Sequence, residues 1–144
     1  MRSINILAKW GCSMRDKRII EIVTELDIVT ARKLGRDEAK EIGFNDVDQS
    51  RITTAIGELA KNILLYAQSG KIVIEEIEKE EQKGIVISSI DKGQGITEVH
   101  KLLEDDYSSS TCAGLPAVKR LVDSIDIQSE IGEGTTVKIV KWLS

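Results

Sequence analysis

Two polar side chains four residues apart, Glu58 and Asn62, lie in the stretch Thr53 to Tyr66, TTAIGELAKNILLY. On a helix that spacing sets them on one strip, beside an apolar face made by Ile56, Leu59, Ile63 and Tyr66. The pair offers a carboxylate, which can orient or deprotonate a hydroxyl, next to an amide whose oxygen is a hard neutral ligand. A solvated helix edge is the commoner use of such a pair, with Glu58 bracing only Lys61 or Arg51. Two other stretches carry glycines where backbone must turn or pass close to something flat. Asp91-Lys92-Gly93-Gln94-Gly95 follows the apolar run GIVISSI, and Ile131-Gly132-Glu133-Gly134-Thr135 lies between two alternating segments. Turn chemistry alone also accounts for glycines at such places.

Composition narrows what these residues can serve. A chain of 144 residues, 41% hydrophobic and 31% charged, is read as one domain with enough length to bury a core. Lys and Arg number 20 against 24 Asp and Glu, with no basic block, which argues against a nucleic-acid surface. Two cysteines, Cys12 and Cys112, do not make a disulfide scaffold and suit a reducing cytoplasm. A single histidine, His100, excludes a histidine-rich metal cluster and is read as a surface residue. No apolar run is long enough to cross a bilayer, so neither membrane nor export is expected.

The positioning elements follow from periodicity. Residues 1–17 have weak periodicity and are expected to form an N-terminal extension, with Met14 a candidate biological start and the domain proper spanning 18–144. Alternation from Arg18 to Leu26 predicts a strand, and Asp27 is placed to cap a helix whose stripe is Ile28, Ala31, Leu34, Ala39 and Ile42. Gly43 suits the C-terminus of that helix, with Phe44 packed beneath. Asn45 or Asp46 caps the helix bearing Glu58 and Asn62, expected to run to about Gln68. KIVIEEIE and GIVISSID read as a hairpin around the charged KEEQK segment. A short helix is expected around Glu98 to Leu103, then a loop through DDYSSSTCAG, then a helix opened by Leu115-Pro116 and two strands, Ser124 to Glu130 and Thr135 to Leu143. The sum is β-α-α-β-β-α-α-β-β, an α+β two-layer sandwich whose mixed sheet carries its helices on one face.

Taken together, Glu58-x-x-x-Asn62, Asp91-x-Gly93-x-Gly95 and Gly132-x-Gly134-Thr135 on this element order resemble the Bergerat-fold, histidine-kinase-like ATPases. Over nearly all of 18–143 the chain looks most like the RsbT-type switch serine/threonine kinases of the bacterial stressosome, which phosphorylate STAS-domain proteins. The stretches ELDIVTARKLGRDEAKEIGF, VDQSRITTAIGELAKNI, AGLPAVKRLVD and GEGTTVKIVKWL carry that match. The resemblance implies ATP and Mg²⁺ as cofactors, with Asn62 the metal ligand and Glu58 facing the terminal phosphate to activate a hydroxyl. It implies Asp91 as acceptor of the adenine amine, with Gly93 and Gly95 passing close to base or ribose and Thr135 adding a hydroxyl.

One part departs from the family pattern. The third glycine box, G-x-G-x-G-L, corresponds to Ser110-Thr111-Cys112-Ala113-Gly114-Leu115, where Gly114 is clearly retained. Amides near Gly114 and Leu115 remain to attract phosphate, the Ser and Thr hydroxyls replace some lost contacts, and Cys112 reads as a small filler. The expected function is ATP-dependent phosphorylation of a STAS-domain partner in a partner-switching pathway. The alternatives are a catalytically weakened module docking on STAS or phosphatase partners, and an anti-sigma factor.

Overall fold

The computed structural model describes residues 12–93 and 114–144, with side chains from Lys17 onward. The elements are β1 (Cys12–Ile22), α1 (Glu25–Ile42), α2 (Asp46–Tyr66), β2 (Gly70–Lys79), β3 (Gln82–Asp91), α3 (Leu115–Leu121), β4 (Ser124–Glu130) and β5 (Gly134–Trp142). The helix expected at Glu98 to Leu103, the loop Asp105 to Ala113, and with them Gly95, His100 and Cys112, lie outside the described residues. Among the described residues, no helix is long and apolar enough to cross a membrane.

The sheet has five strands in the order β1-β2-β3-β5-β4. A mixed sheet was expected, yet every described pairing is antiparallel. Two helices between β1 and β2 bring the chain back in the opposite sense, and β2–β3 and β4–β5 are hairpins. β3 and β4 do run parallel, but β5 inserts between them and pairs with both. The β2–β3 turn is Glu80-Glu81, both at positive φ (53° and 69°), a tight hairpin turn made without glycine.

The first strand differs from its expectation at both ends. It begins at Cys12 rather than Arg18 and ends at Ile22 rather than Leu26. Its early half escapes a periodicity reading because the register shifts between Met14 and Lys17, which breaks the alternation without ending the pairing to β2. Leu26 belongs to the first turn of α1, where its side chain is 73% exposed. The cap of α1 is Thr24, not Asp27. Asp27 sits at the third helical position and its carboxylate accepts from the Val23 and Thr24 amides, both at 2.9 Å, in a capping box. Those two amides hold the exposed Asp27 carboxyl below its ordinary pKa. Asn45 caps α2, accepting from the Asp48 amide at 2.8 Å.

The core lies between the helices and one face of the sheet. It is built from isoleucine: Ile22, Ile52, Ile56, Ile63, Ile72, Ile74, Ile85, Ile87 and Ile139 are fully buried with Leu59 and Leu115. Each contributes about 1.5–3 kcal/mol by leaving water. Small residues let α1 and α2 approach, and a Cβ on Gly35 would collide with the Ile56 side chain. Farther along the sheet, Arg18 reaches the buried Glu38 at 2.9 Å and Lys141 faces Asp48 at 3.6 Å. Gly43 ends α1 in the left-handed conformation at φ 119°, and Phe44 is buried behind it.

Candidate functional site

Four strands deliver their ends to one place. Ile22 pairs with Gly70, Gly70 with Asp91, and Asp91 with Thr135. Side chains alternate along a strand, so Asp91 shares the face of Ile85 and Ile87, and Thr135 the face of Val137 and Ile139, all core residues. Both functional candidates therefore point to the helix side of the sheet, at the end where α2 runs out. A hollow of about 240 Å³ also opens near Asp91. Its lining includes Glu21, Lys71 and Ile90, which alternate onto the opposite face, so it is not where the site candidates converge.

The last three turns of α2 run along this end. At Glu58 the neighbour is Gly114, at the start of α3: a Cβ there would collide with the Glu58 Oε2 and lie 3.0 Å from its Cδ. At the other end the neighbour is Gly93, whose added Cβ would sit 3.0 Å from the Tyr66 carbonyl oxygen and 2.8 Å from the Ala67 Cβ. Both glycines are thus required by close approach to the same helix, one at each end of the segment 58–67. Asn62 lies between them, half-buried, and among the described residues its amide has no hydrogen-bond partner. Ile63 beside it closes the floor, packing near Gly70 and Asp91.

Glu58 is partly exposed at 28% and faces the Lys61 ammonium at 3.5 Å, a long contact on the helix surface. Bracing of Lys61 is therefore present but weak. Arg51 is engaged elsewhere, with Asp48 at 2.9 Å. Tyr66, expected on the apolar face, is 37% exposed because α2 ends there.

Asp91 closes an Asx turn, its Oδ1 accepting from the Gly93 amide at 2.9 Å. That leaves Oδ2 without a hydrogen-bond partner among the described residues. Next to Thr135, its partner across the ladder, Gly134 at φ 115° lies against the Asp91 carbonyl where a Cβ would collide. Thr135 is buried and its hydroxyl is 2.8 Å from the Ser129 hydroxyl, which also donates to the Gly134 carbonyl at 3.1 Å. Ser129 was not a sequence candidate. The signal that finds it is register: it lies opposite Thr135 on the neighbouring strand. Leu115 contributes no side chain to the site, being buried in the core, so its part is limited to its backbone amide. Pro116 at the start of α3 lacks an N–H.

Residues 47–143 match the family model described as histidine kinase-, DNA gyrase B-, and HSP90-like ATPase. The serine/threonine-protein kinase RsbT of Bacillus subtilis (strain 168) is 52% identical over 132 residues, covering 90% of this chain and 99% of the relative. The chain belongs to the histidine kinase-, DNA gyrase B- and HSP90-like ATPase family, and within it to the RsbT serine/threonine-protein kinases. More distant is the anti-sigma F factor of Caldanaerobacter subterraneus subsp. tengcongensis, 28% identical over 98 residues, 64% of this chain and 68% of that one. Among solved structures, the RsbU and RsbW domains of Rv1364c from Mycobacterium tuberculosis superpose with a TM-score of 0.64 at 21% identity, covering 92% of this chain and 34% of that chain. The catalytic domain of histidine kinase ThkA gives a TM-score of 0.52 at 15% identity, covering 86% and 95% respectively. These two likenesses concern the fold, and they agree with the α+β sandwich expected from sequence.

Proposed function

We propose that this RsbT-family kinase binds ATP along the last turns of α2 and transfers its terminal phosphate to a serine or threonine of a STAS-domain protein. The observation that carries the reading is the pair of close approaches on α2, Gly114 against Glu58 and Gly93 against Tyr66 and Ala67. Between them the helix rises about 14 Å, a length along which a base and its phosphates can lie. Asp91 and Thr135 then define the base end, and Glu58 the phosphoryl end.

The roles follow from donor chemistry. The Asp91 Oδ2 accepts from the exocyclic amine of adenine. Gly93 gives the backbone a path close to the base, and Gly95 has the same role by resemblance. The Leu115 amide beside Gly114 donates toward phosphate. Glu58 orients the attacking hydroxyl and accepts its proton, which Lys61 at 3.5 Å does not prevent because that contact is long and solvent-exposed. Asn62 fits a Mg²⁺ site: its half-buried amide lacks a partner among the described residues and lies one turn from Glu58. A bound Mg²⁺ supplies neutralisation of phosphate charge.

Partner-switching regulation in the cytoplasm goes with this reading, and the 52% identity to RsbT over 99% of that protein favours it over an anti-sigma role. The test is transfer of labelled phosphate from ATP to a purified STAS-domain protein. Transfer lost on Glu58→Gln with ATP still bound supports the reading. ATP binding without transfer to any STAS-domain protein favours the regulatory module, and co-purification with a sigma subunit favours the anti-sigma factor.

A further inference from the structure

We infer that the substrate protein docks on the exposed stripe of α1 and the facing crest of α2, through a surface of its own that carries carboxylates beside apolar side chains. The inference rests on the proposed kinase reaction and adds to it the surface that brings the phosphoacceptor to Glu58.

One contact fixes where the stripe lies. Arg32 of α1 crosses Gly57 of α2, where an added Cβ would sit 3.3 Å from the Arg32 Cδ and 3.7 Å from its Nε. Gly57 precedes Glu58, so the Arg32 stem passes beside the carboxylate of the proposed site. Only Gly43, Phe44 and Asn45 join α1 to α2, and the contacts of Gly35 with Ile56 and of Arg32 with Gly57 show the two helices packed antiparallel. Each turn back along α1 is therefore a turn forward along α2. Val29 comes level with Lys61, and Leu26 with Leu64 and Leu65.

Leu26, Val29, Arg32, Arg36 and Lys40 follow one another at spacings of three, three, four and four, which sets them in one stripe down the exposed side of α1. Its upper part is apolar. Leu26 and Val29 are 73% and 59% exposed, and Leu65 across from them is 68% exposed. Single exposed apolar residues are ordinary, but three at one corner between two helices form a patch. The lower part is cationic, and among the described residues Arg32, Arg36 and Lys40 have neither an ion pair nor a hydrogen bond. The nearby carboxylates are engaged elsewhere: Asp37 with Lys33, Glu38 and Glu41 with Arg18, and Asp27 in its cap. Glu25 lies two turns from Arg32. In a chain of net charge −4, three uncompensated cations in a row reverse the local sign and suit an acidic partner surface.

Reach ties the stripe to the reaction. A hydroxyl delivered to Glu58 arrives with a protein surface around it. Packed helices lie about 8–10 Å apart, and an interface of about 800 Å² per partner extends about 16 Å from its centre. An interface centred on Glu58 therefore takes in the stripe.

The plainer alternative is a solvated helix face on which Arg32 serves only through its stem. Phosphate transfer by the full chain to a purified STAS-domain protein, measured against the concentration of that protein and beside a direct binding titration, separates the two. Leu26→Ser with Leu65→Ser removes the apolar corner. Arg32→Met with Arg36→Gln removes charge while keeping a stem over Gly57. Lys79→Gln with Lys83→Gln, on the β2–β3 hairpin, is the charge control. In each of the first two pairs KM for the protein substrate should rise about tenfold, with kcat and ATP affinity held within about twofold. Added salt should raise KM for the unmodified chain, and that dependence should shrink only in the arginine pair. An unchanged KM in both pairs, an equal rise in the lysine control, or a fall in kcat in place of the rise in KM overturns the inference and leaves the kinase reading standing. Self-association of the chain that these variants abolish, with KM unchanged, also overturns it, because the stripe then faces a second copy. Binding without transfer, weakened by the same variants, supports the docking surface and counts against the kinase reading. Neither binding nor transfer by the unmodified chain overturns both. If one variant pair fails to melt cooperatively, the other pair and the salt dependence of the unmodified chain decide.

Discussion

The α carbon of Gly114 is held against the carboxylate of Glu58, so closely that a side chain of any size at position 114 would occupy the place of Oε2. Gly114 has φ −81° and ψ −11°, ordinary helical values, so the glycine is there for space and not for backbone freedom. A residue at the start of α3 thereby sets where the carboxylate of α2 can point.

Gly114→Ala should consequently displace Glu58 and lower phosphate transfer at least tenfold. Glu58 is partly exposed and can swing outward, so the cost in stability should stay below ~1 kcal/mol. Labelled transfer alongside a thermal melt checks this. Retained transfer would mean that the orientation of Glu58 does not matter to the reaction.

Asn62→Ala should separate activity from stability in the opposite sense. Alanine is the better helix former by up to about 0.6 kcal/mol, and the amide it replaces has no partner among the described residues. The variant is expected to melt at the same temperature or slightly higher while losing Mg²⁺-dependent transfer. Normal transfer by the folded variant removes Asn62 from the site.

Asp91→Asn keeps the turn and alters the ligand. The asparagine Oδ1 can still accept from the Gly93 amide, so the local fold persists. In the proposed site the group facing the base changes from acceptor to donor, and ATP affinity should drop by roughly 10–100-fold, the worth of a charge-assisted hydrogen bond. Calorimetric titration reads this directly, and undiminished ATP binding would exclude Asp91 as the adenine acceptor.

What the sequence made legible was set by local chemistry. The β4 strand from Ser124 to Glu130 and the Leu115 start of α3 follow from alternation and from a lone proline, signals that need no tertiary knowledge. The spacing of Glu58 and Asn62 likewise survives because a helix fixes it. Ser129 was invisible because its contact with Thr135 depends on which residue lies opposite across a hairpin. The direction of the sheet was misread since strand direction depends on where β5 inserts, a long-range choice. Asp27 reads as the cap of α1 because cap and third position carry similar residue types, and only its contacts to the Val23 and Thr24 amides distinguish the two.

That capping box makes a pH prediction. The Val23 and Thr24 amides favour the charged form of Asp27 and lower its pKa from the ordinary 3.8. A depressed folded value means the unfolded chain takes up the proton first, so the stabilisation is present above pH 3.8 and is lost as pH falls through the folded value. Asp27→Ala should therefore melt below the unmodified protein at neutral pH, and the gap should close as the pH drops beneath 3.8. A gap that is constant down to acid would show that the carboxylate charge is not what holds the cap.

The early half of β1 offers a test of where the domain begins. Cys12, Ser13 and Met14 pair with Lys79, Glu78 and Ile77, and beyond the register shift Lys17 pairs with Glu75. Lys17 Nζ also lies 3.6 Å from Glu75 Oε1, an oxygen that is buried without a hydrogen bond among the described residues. A domain boundary at 18 would strip this half-strand from the edge of the sheet and leave a shielded carboxylate without the ammonium that faces it. Two chains, one starting at Cys12 and one at Arg18, isolate the effect because both lack the same preceding residues. The shorter is expected to lose at least ~2 kcal/mol, a fall in melting temperature of roughly 5–10 °C. Glu75→Gln should recover part of that loss in the shorter chain and little in the longer one, since only there is the charge uncompensated. Equal melting of the two chains would keep the boundary at Arg18 and make the Cys12–Lys17 pairing incidental to the fold.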